Sequence, residues 1–449
     1  MKLYVIILIV FSLGLATTGF AQDAEVPKPV VVASSGPSHL DSNAPSLALS
    51  SDTETGNVMV AGFSAGAAYD NRGLASGTPA TYSGDTRFFV QPSIGFQRRY
   101  ATGDWTLTYT PGVSISQHNS SDSQYTNNLA GDVNWKPNSR FALHGRQDYS
   151  LTDNPFETVG RVDLLPGLGG PLGPNYDGVL PETRRTSLVS NVDGSYRLSE
   201  HSSIGMTGGY QKYDFDALQS STGSSPFINS KVISGSVFYS QQLSGTVNAG
   251  VQFAYSDIYS TGGEVSRTQV ASPMLFVKWK PLPSTELTLF GGPEYARTRD
   301  VVPLGLLGNI AVYGDGWRST YGGTLAWSGG RTAFSVEGMR RISGGGGVLD
   351  AVQSTNAGAA YRARLRQRLL AEVRANWSDE KAIGVLNYGS YFRSLWAGGG
   401  PVFELSRSLA LRMDVAYVHQ SQQGIGTVAG NHVLVQGSLD YHFRKSLGN

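Results

Sequence analysis

Residues 105 to 116 read WTLTYTPGVSIS, and apolar residues alternate with small or polar ones along the whole stretch. Successive side chains of a β-strand point to opposite faces, so the pattern predicts a strand with one apolar and one polar face. One face suited to lipid and one to water is typical of a transmembrane β-barrel. The first face carries Trp105, Leu107, Tyr109, Pro111, Val113 and Ile115, and the second carries Thr106, Thr108, Thr110, Gly112, Ser114 and Ser116.

The same unit repeats between Gly56 and Arg444. Two alternating runs of about 10 to 16 residues are joined by about four turn residues and followed by a longer polar loop, the order found in outer-membrane barrels. An aromatic residue precedes each of five similar turns, as expected of the girdle at one membrane boundary. These turns lie at 135–143, 196–206, 279–289, 327–336 and 403–413, and their aromatics are Trp135, Tyr196, Trp279, Trp327 and Phe403.

Nine longer connections alternate with the short turns. Nine hairpins predict an all-β fold, a transmembrane antiparallel up-and-down barrel over residues 56–449 with about 18 strands, and 16 also fit the pattern. A solenoid or a propeller repeats at a similar period, but its outward positions would be polar. The stretch from Tyr388 to Leu405 loses its alternation around GGGP at 398–401, which predicts a bulge.

The beginning of the chain predicts export. Residues 1–21 combine Lys2, the apolar core YVIILIVFSLGL and the small-residue exit GFA, as in a secretory signal peptide, with an uncleaved anchor as the alternative. Residues 22–55 are rich in Ser, Pro and Ala without periodicity and predict a flexible periplasmic segment. An even strand number would then place both barrel ends in the periplasm.

Composition excludes several classes of function. The 449 residues contain no Cys and 56 Gly, which argues against a disulfide framework or a thiolate metal site. A net charge of +1 argues against nucleic acid as a partner. HExxH does not occur, and no nucleophile can be tied to a base by its spacing, so the sequence predicts no enzyme, no catalytic residue, no metal site and no cofactor.

The last run, VLVQGSLDYHFRKSLGN at 433–449, places Leu439, Tyr441 and Phe443 on one face. Their spacing resembles the C-terminal assembly signal of Gram-negative outer-membrane porins, although in that family the aromatic usually ends the chain and here RKSLGN follows it. The resemblance covers nearly the whole mature chain and implies an outer-membrane location. It also implies outer-membrane lipid, lipopolysaccharide and the β-barrel assembly machinery as partners.

The main candidate site is a set of charged residues predicted to line the pore. In AAYRARLRQRLLAEVRANW at 359–377, arginines alternate with apolar residues, and three arginines facing lipid at mid-membrane would each cost about 2 to 4 kcal/mol. They therefore face the lumen. The set comprises Arg340 or its neighbour Arg341, and Arg362, Arg364, Arg366, Glu372, Arg374, Arg412 and Asp414.

Two interpretations of this set remain open. The arginines form a basic wall that attracts anions or acidic sugars, or they are neutralised by nearby carboxylates such as Glu337, Glu372 and Glu404. His144, Arg146 and Asp148, and Arg185, Asn191, Asp193 and Arg197, are expected to be ordinary lumen residues. The loop at 150–182 is long enough to fold inward and narrow a channel.

Three functions fit the sequence. The first is a porin-like channel for passive passage of small hydrophilic solutes, including anionic ones, because about 18 strands enclose an aqueous lumen. The second is an outer-membrane exporter component for a secreted polysaccharide. The third is a surface-binding or structural barrel whose loops contact a partner, and an occluded lumen would favour it.

Overall fold

The computed structural model describes residues 57–73, 83–117, 124–152, 185–215, 228–261, 265–303, 309–345, 349–384, 390–423 and 429–446. The predicted signal peptide, the segment 22–55 and residues 153–182 of the predicted inward loop lie outside these ranges. Within them, no helix is long and apolar enough to cross a bilayer.

The described residues form one 18-stranded antiparallel sheet. The strands in chain order are β1 (Val58–Gly73), β2 (Ser83–Tyr100), β3 (Gly103–Ser116), β4 (Gln124–Trp135), β5 (Phe141–Thr152), β6 (Arg185–Arg197), β7 (Ser202–Phe215), β8 (Asn229–Gln242), β9 (Val247–Thr261), β10 (Val265–Leu282), β11 (Thr285–Pro303), β12 (Asn309–Ser328), β13 (Thr332–Gly345), β14 (Leu349–Arg366), β15 (Leu369–Ala382), β16 (Tyr391–Glu404), β17 (Leu409–Gln423) and β18 (Ala429–Ser446).

The sheet closes on itself. Each strand pairs with its neighbours in the chain, and β1 pairs with β18 from Val58↔Ser446 to Asp70↔Leu434. The Ser64 hydroxyl donates to Asp440 Oδ1 across this seam at 2.6 Å. Closure leaves no strand edge exposed, which a sheet in lipid requires because hydrocarbon offers no hydrogen-bond partners. The all-β barrel predicted from the sequence, with 18 strands, is confirmed.

The connections differ between the two ends of the barrel. At one end, eight connections of two to five residues join each even-numbered strand from β2 to β16 to the strand that follows it. We call this the short-turn end. The other, called the loop end, has nine connections that range from three residues to the long segment between Thr152 and Arg185. Val58 and Ser446 pair with each other at the short-turn end, so both ends of the barrel chain lie there.

Along the strands, many apolar side chains are exposed and many polar ones are buried, the reverse of the distribution in a water-soluble protein. On β2, Phe88 and Val90 are exposed while Gln91 and Ser93 are buried. The exposed aliphatic and aromatic side chains form a band on the outer surface, where lipid would cover them. Four of the predicted girdle aromatics, Trp135, Tyr196, Trp279 and Phe403, are exposed next to short turns.

The bulge expected around residues 398–401 is not formed. Strand β16 keeps a constant register with β15 from Tyr391 to Phe403, and its register with β17 is the same before and after Gly400 and Pro401. No residue is therefore inserted. The glycine run instead contains an unusual backbone conformation, because Gly399 has a φ of 151°, which residues with a side chain rarely adopt.

Candidate functional site

The candidate pore-lining residues of β14 to β18 lie on the interior face. On β14, the exposed Leu365 alternates with Arg362 and Arg364. Directly paired residues of neighbouring strands share a face, and Arg362 is paired with Glu372. The structure therefore brings the arginines of one strand beside the carboxylate of the next.

Glu372 joins two of the predicted arginines. Its Oε1 accepts from Arg362, with Nε at 2.6 Å and Nη2 at 2.5 Å. Its Oε2 lies 3.6 Å from Arg374 Nη2. Glu372 and Arg374 are both buried, and a buried charge without a partner costs several kcal/mol, so the three groups depend on one another.

Glycines on β16 give this network its space. Gly398 pairs with Arg374, and Gly400 pairs with Glu372, so both occupy interior positions and project no side chain over the wall. A β-carbon on Gly400 would also clash with the Met413 carbonyl oxygen of β17. The gap brings Asp414 on β17 into electrostatic contact with Arg374 across the intervening strand.

The network continues to the seam of the barrel. Arg412 Nε lies 3.9 Å from Asp440 Oδ2, and Asp440 in turn accepts from Ser64 on β1. Asp414 interacts electrostatically with Arg412 as well as Arg374, but its Oδ2 is buried without a hydrogen-bond partner among the described residues.

Two of the predicted arginines lie near the short-turn end. Arg364 Nη2 is 3.6 Å from Glu404 Oε1, and both side chains are about half exposed. Arg366 is exposed where β14 ends, beside the turn at 367–368. Solvent weakens both interactions, because exposed ion pairs contribute only about 0 to 1 kcal/mol.

Arg340 and Arg341 separate onto opposite faces of β13. Arg341 shares the interior face with Glu337 and is buried in the electrostatic field of Glu337 and Glu294. Arg340 lies on the opposite, outward face, since it pairs with the exposed Tyr321 in the sheet register. Its Nη2 donates to Gln353 Oε1 at 2.9 Å. Arg318, on the interior face of β12, reaches the same Gln353 oxygen at 3.3 Å.

This arrangement arises because the β13–β14 hairpin leaves the wall. Pairing between β12 and β13 ends at Tyr321↔Arg340, although both strands continue toward the loop end. Beyond that point β13 approaches β8, β9 and β11 within 8 Å between Cα atoms, and none of these is its neighbour in the sheet. The hairpin therefore folds into the barrel, with its formerly outward face turned toward the interior of β8 to β11.

An apolar cluster holds the hairpin inside. Ile342 and Ala351 of the hairpin are fully buried against interior side chains of four wall strands and a residue that follows β15. Such burial stabilises by roughly 25 cal/mol per Å² of apolar surface. The wall residues are Val232, Ile258, Val270 and Ala296, and the last member is Ile383.

Glu294 provides the polar part of the same attachment. The Ile342 N–H, which has lost its β12 partner, donates to Glu294 Oε2 at 3.0 Å. Ser272 donates to the other oxygen at 3.1 Å. An unpaired buried N–H would cost about 1 to 3 kcal/mol, so this carboxylate replaces the missing strand.

A second interior network involves residues that the sequence marked as ordinary. His144 Nδ1 lies 2.8 Å from Asp193 Oδ2, and His144 Nε2 lies 2.8 Å from Asp132 Oδ2. Carboxylates accept hydrogen bonds, so both ring nitrogens must carry protons and the imidazole is cationic in this arrangement. Arg146 is similarly paired with Asp148 on β5. No sequence motif marks the histidine bridge, because register alone brings its three strands together.

Hydroxyl groups line much of the interior of β7 to β11, beside charged groups such as Glu294 and, near the short turns, Glu286 with its two lysines. Thr207 and Ser236 are 2.8 Å apart, and Thr268 and Thr298 are 3.0 Å apart. These hydroxyls hydrogen-bond to one another across strands and carry no charge. Alternating Ser and Thr in the strand sequences is the signal that could have identified these hydroxyl pairs.

Searches of protein-family models and curated proteins find no match to the chain. Among solved structures, the siderophore receptor PiuA from Acinetobacter baumannii aligns with a TM-score of 0.46 and 7% identity, over 87% of this chain and 82% of that one. The ferric-catecholate import receptor Fiu from E. coli K12 aligns with a TM-score of 0.43 and 8% identity, over 87% of this chain and 82% of that one. OpdK from Pseudomonas aeruginosa, solved with vanillate, aligns with a TM-score of 0.38 and 11% identity, over 87% of this chain and 99% of that one.

Proposed function

We propose that this protein is a channel of the Gram-negative outer membrane for passive passage of small hydrophilic solutes, without catalytic activity. One observation carries the proposal: a closed barrel of 18 strands has an apolar outer band and an interior lined by charged, amide and hydroxyl side chains. Barrels of 16 to 18 strands are wide enough for an aqueous lumen. An interior of so many polar side chains would be costly without water, so it favours a water-filled lumen.

The orientation follows from the asymmetry of the ends. Outer-membrane barrels have short periplasmic turns and longer extracellular loops. The short-turn end, with Val58 and Ser446, accordingly faces the periplasm, and the loop end faces outward.

The inward hairpin narrows this lumen. It packs from the β13–β14 side against the interior of β8 to β11, and so covers part of that wall. Passing solutes would meet the arginines and carboxylates of β14 to β18. The narrowing weighs against a polysaccharide exporter, because a polymer needs a continuous wide path.

We further propose that the channel weakly prefers anions. Positive and negative groups are equal in number on the interior of β14 to β18, but Arg362 and Arg364 are more exposed than the carboxylates that they pair with. The groups are Arg362, Arg364, Arg366, Arg374 and Arg412, and Glu372, Glu380, Glu404, Asp414 and Asp440. Fixed positive charge concentrates anions, but pairing reduces the effect of each arginine. The preference should shrink as salt rises, since the Debye length falls from about 10 Å at 0.1 M to about 3 Å at 1 M.

Planar-bilayer recording of the purified protein tests the proposal. We expect stable conductance steps for the wild type. Replacing Arg362, Arg364 and Arg374 together with Gln leaves Glu372 unpaired, so the reversal potential in a salt gradient should move toward cation selectivity. Arg98→Gln, on the outer face, is the matched control.

Absence of conductance in folded protein would reject the channel. It would favour the remaining candidate, a barrel that binds a partner through its loops, which the hairpin inside the lumen also supports. Conductance with an unchanged reversal potential in the triple variant would reject only the proposed preference for anions.

A further inference from the structure

The outer face of the barrel carries a row of cations near the loop end. Following the register from β7 to β12, the paired residues are Lys212, Lys231, Tyr259, Arg267, Arg299 and Tyr313. We call these six residues the outer cation row. They share the outward face with exposed apolar residues such as Met206, Val237 and Leu275 of the same strands. The row therefore points toward the membrane and away from the lumen.

Aromatic side chains hold the cations in place. Lys231 Nζ lies 5.6 Å from the ring centre of Tyr210 and 5.8 Å from that of Tyr259. Arg267 also lies 5.0 Å from the ring centre of Tyr259, and Arg299 lies 6.0 Å from that of Tyr313. Cation–π contacts restrict a long side chain but do not neutralise its charge.

Carboxylates neutralise only part of the row. Lys212 pairs with Asp214, and Arg267 pairs with Asp257 through two hydrogen bonds of 3.0 and 2.6 Å. Lys231 and Arg299 form no ion pair with a carboxylate in the part of the chain that the structure describes. The row therefore presents excess positive charge with free N–H donors.

The position of the row along the strands is that of lipid headgroups. Four residues nearer mid-strand lies a row of large aromatics that includes Tyr255, Tyr295 and Trp317, with Tyr295 and Trp317 rings 5.2 Å apart. Tyr and Trp mark the boundary between hydrocarbon and headgroups. Cations just beyond that boundary cost about 0 to 1 kcal/mol, against about 2 to 4 kcal/mol at the midplane.

Outward cations near the loop end are unevenly distributed around the barrel. Apart from the row, Lys381 of β15 and Arg393 of β16 also face outward there, but they lie 3.7 and 2.7 Å from Asp379. On β2 to β6, the outward positions near the loop end are Thr86, Phe88, Ile115, Tyr125, Asn127, Tyr149, Leu151, Thr186 and Leu188, none of them basic. A general need for solubility would distribute cations around the barrel. Their concentration on adjacent strands indicates a ligand with several negative charges close together.

We infer that the outer cation row binds the phosphate groups of a phosphorylated lipid headgroup, namely those of lipid A in the outer leaflet. This inference rests on the proposed orientation, in which the loop end faces outward. Lys and Arg are the residues that bind phosphate oxygens, and Lys231 and Arg299 have donors to spare. Lipid A combines acyl chains that would cover the apolar band with phosphates at the level of the row.

The test compares lipid binding by the folded mature protein in detergent micelles, measured by native mass spectrometry with diphosphoryl lipid A. The variant Lys231→Gln with Arg299→Gln should bind about 25-fold more weakly, because each basic residue near an anionic surface contributes about fivefold. Lys231→Arg with Arg299→Lys keeps both charges and should bind like the wild type. Arg98→Gln removes an outward arginine that lies 4.7 Å from the Tyr100 ring near the short-turn end, and should have no effect.

Several results would overturn the inference. They are equal binding by the double Gln variant, an equal loss in Arg98→Gln, equal binding of fully dephosphorylated lipid A, and a preference for phosphatidylglycerol. Folding of each variant is checked by the heat-dependent shift in electrophoretic mobility. Because binding needs no open pore, a failed conductance experiment and a failed lipid experiment remain distinguishable.

Discussion

At the scale of single residues, Glu372 controls the charge of the interior wall. It contacts Arg362 and Arg374 with separate oxygens and is itself buried. Neither arginine can be read as free positive charge while this carboxylate is present. The sequence identified all three side chains as interior, but only the register shows that one acid serves two bases.

Glu372→Gln should therefore make the lumen more positive. The amide keeps the size and an oxygen acceptor while removing the charge, so Arg362 and Arg374 become available to solutes. We expect the reversal potential in a salt gradient to move toward anion selectivity, opposite in sign to the change from the triple arginine variant. Two variants that shift it in the same direction would show that these residues do not line the conducting path.

At the scale of elements, the β13–β14 hairpin shows where sequence reasoning ends. Alternation assigned most strand faces correctly, because a residue on the wall is either toward lipid or toward the lumen. By alternation, Ile342 shares the lipid-facing side of β13 with Val336, yet it is buried inside the barrel. Nothing in a period of two residues indicates that a strand has left the wall. The inward loop expected at 150–182 remains a prediction.

The attachment of the hairpin can be weakened selectively. Glu294→Ala removes the acceptor of the Ile342 N–H and the carboxylate near Arg341, so the hairpin should move away from β11. We expect larger and noisier single-channel conductance. Glu286→Ala is the matched control, since Glu286 is an interior carboxylate of the same strand that pairs with Lys278 and Lys280 near the short turns. Equal conductance in both variants would mean that Glu294 does not hold the hairpin.

At the scale of the whole molecule, the two faces of the wall have opposite tolerances. Leu107 and Val435 are exposed on the outer face, and Thr108 alternates with Leu107 toward the interior. Leu107→Arg or Val435→Arg should each destabilise the assembled barrel by about 2 to 4 kcal/mol near the midplane, while Thr108→Arg should be tolerated. Urea unfolding in lipid vesicles measures the difference. Equal effects at the three positions would show that the faces are wrongly assigned.

Because β1 and β18 close the barrel, the stability of every strand depends on the presence of both. Ser64 and Asp440 meet across the seam between these strands although 376 positions separate them in the chain. Removing β18 would leave one edge of β1 and one edge of β17 without partners, and each exposed backbone group in hydrocarbon costs several kcal/mol. A chain that lacks only its last strand therefore loses far more than one strand's share of the sheet. Synthesis must reach the final residues of β18 before any part of the wall can be stable in lipid.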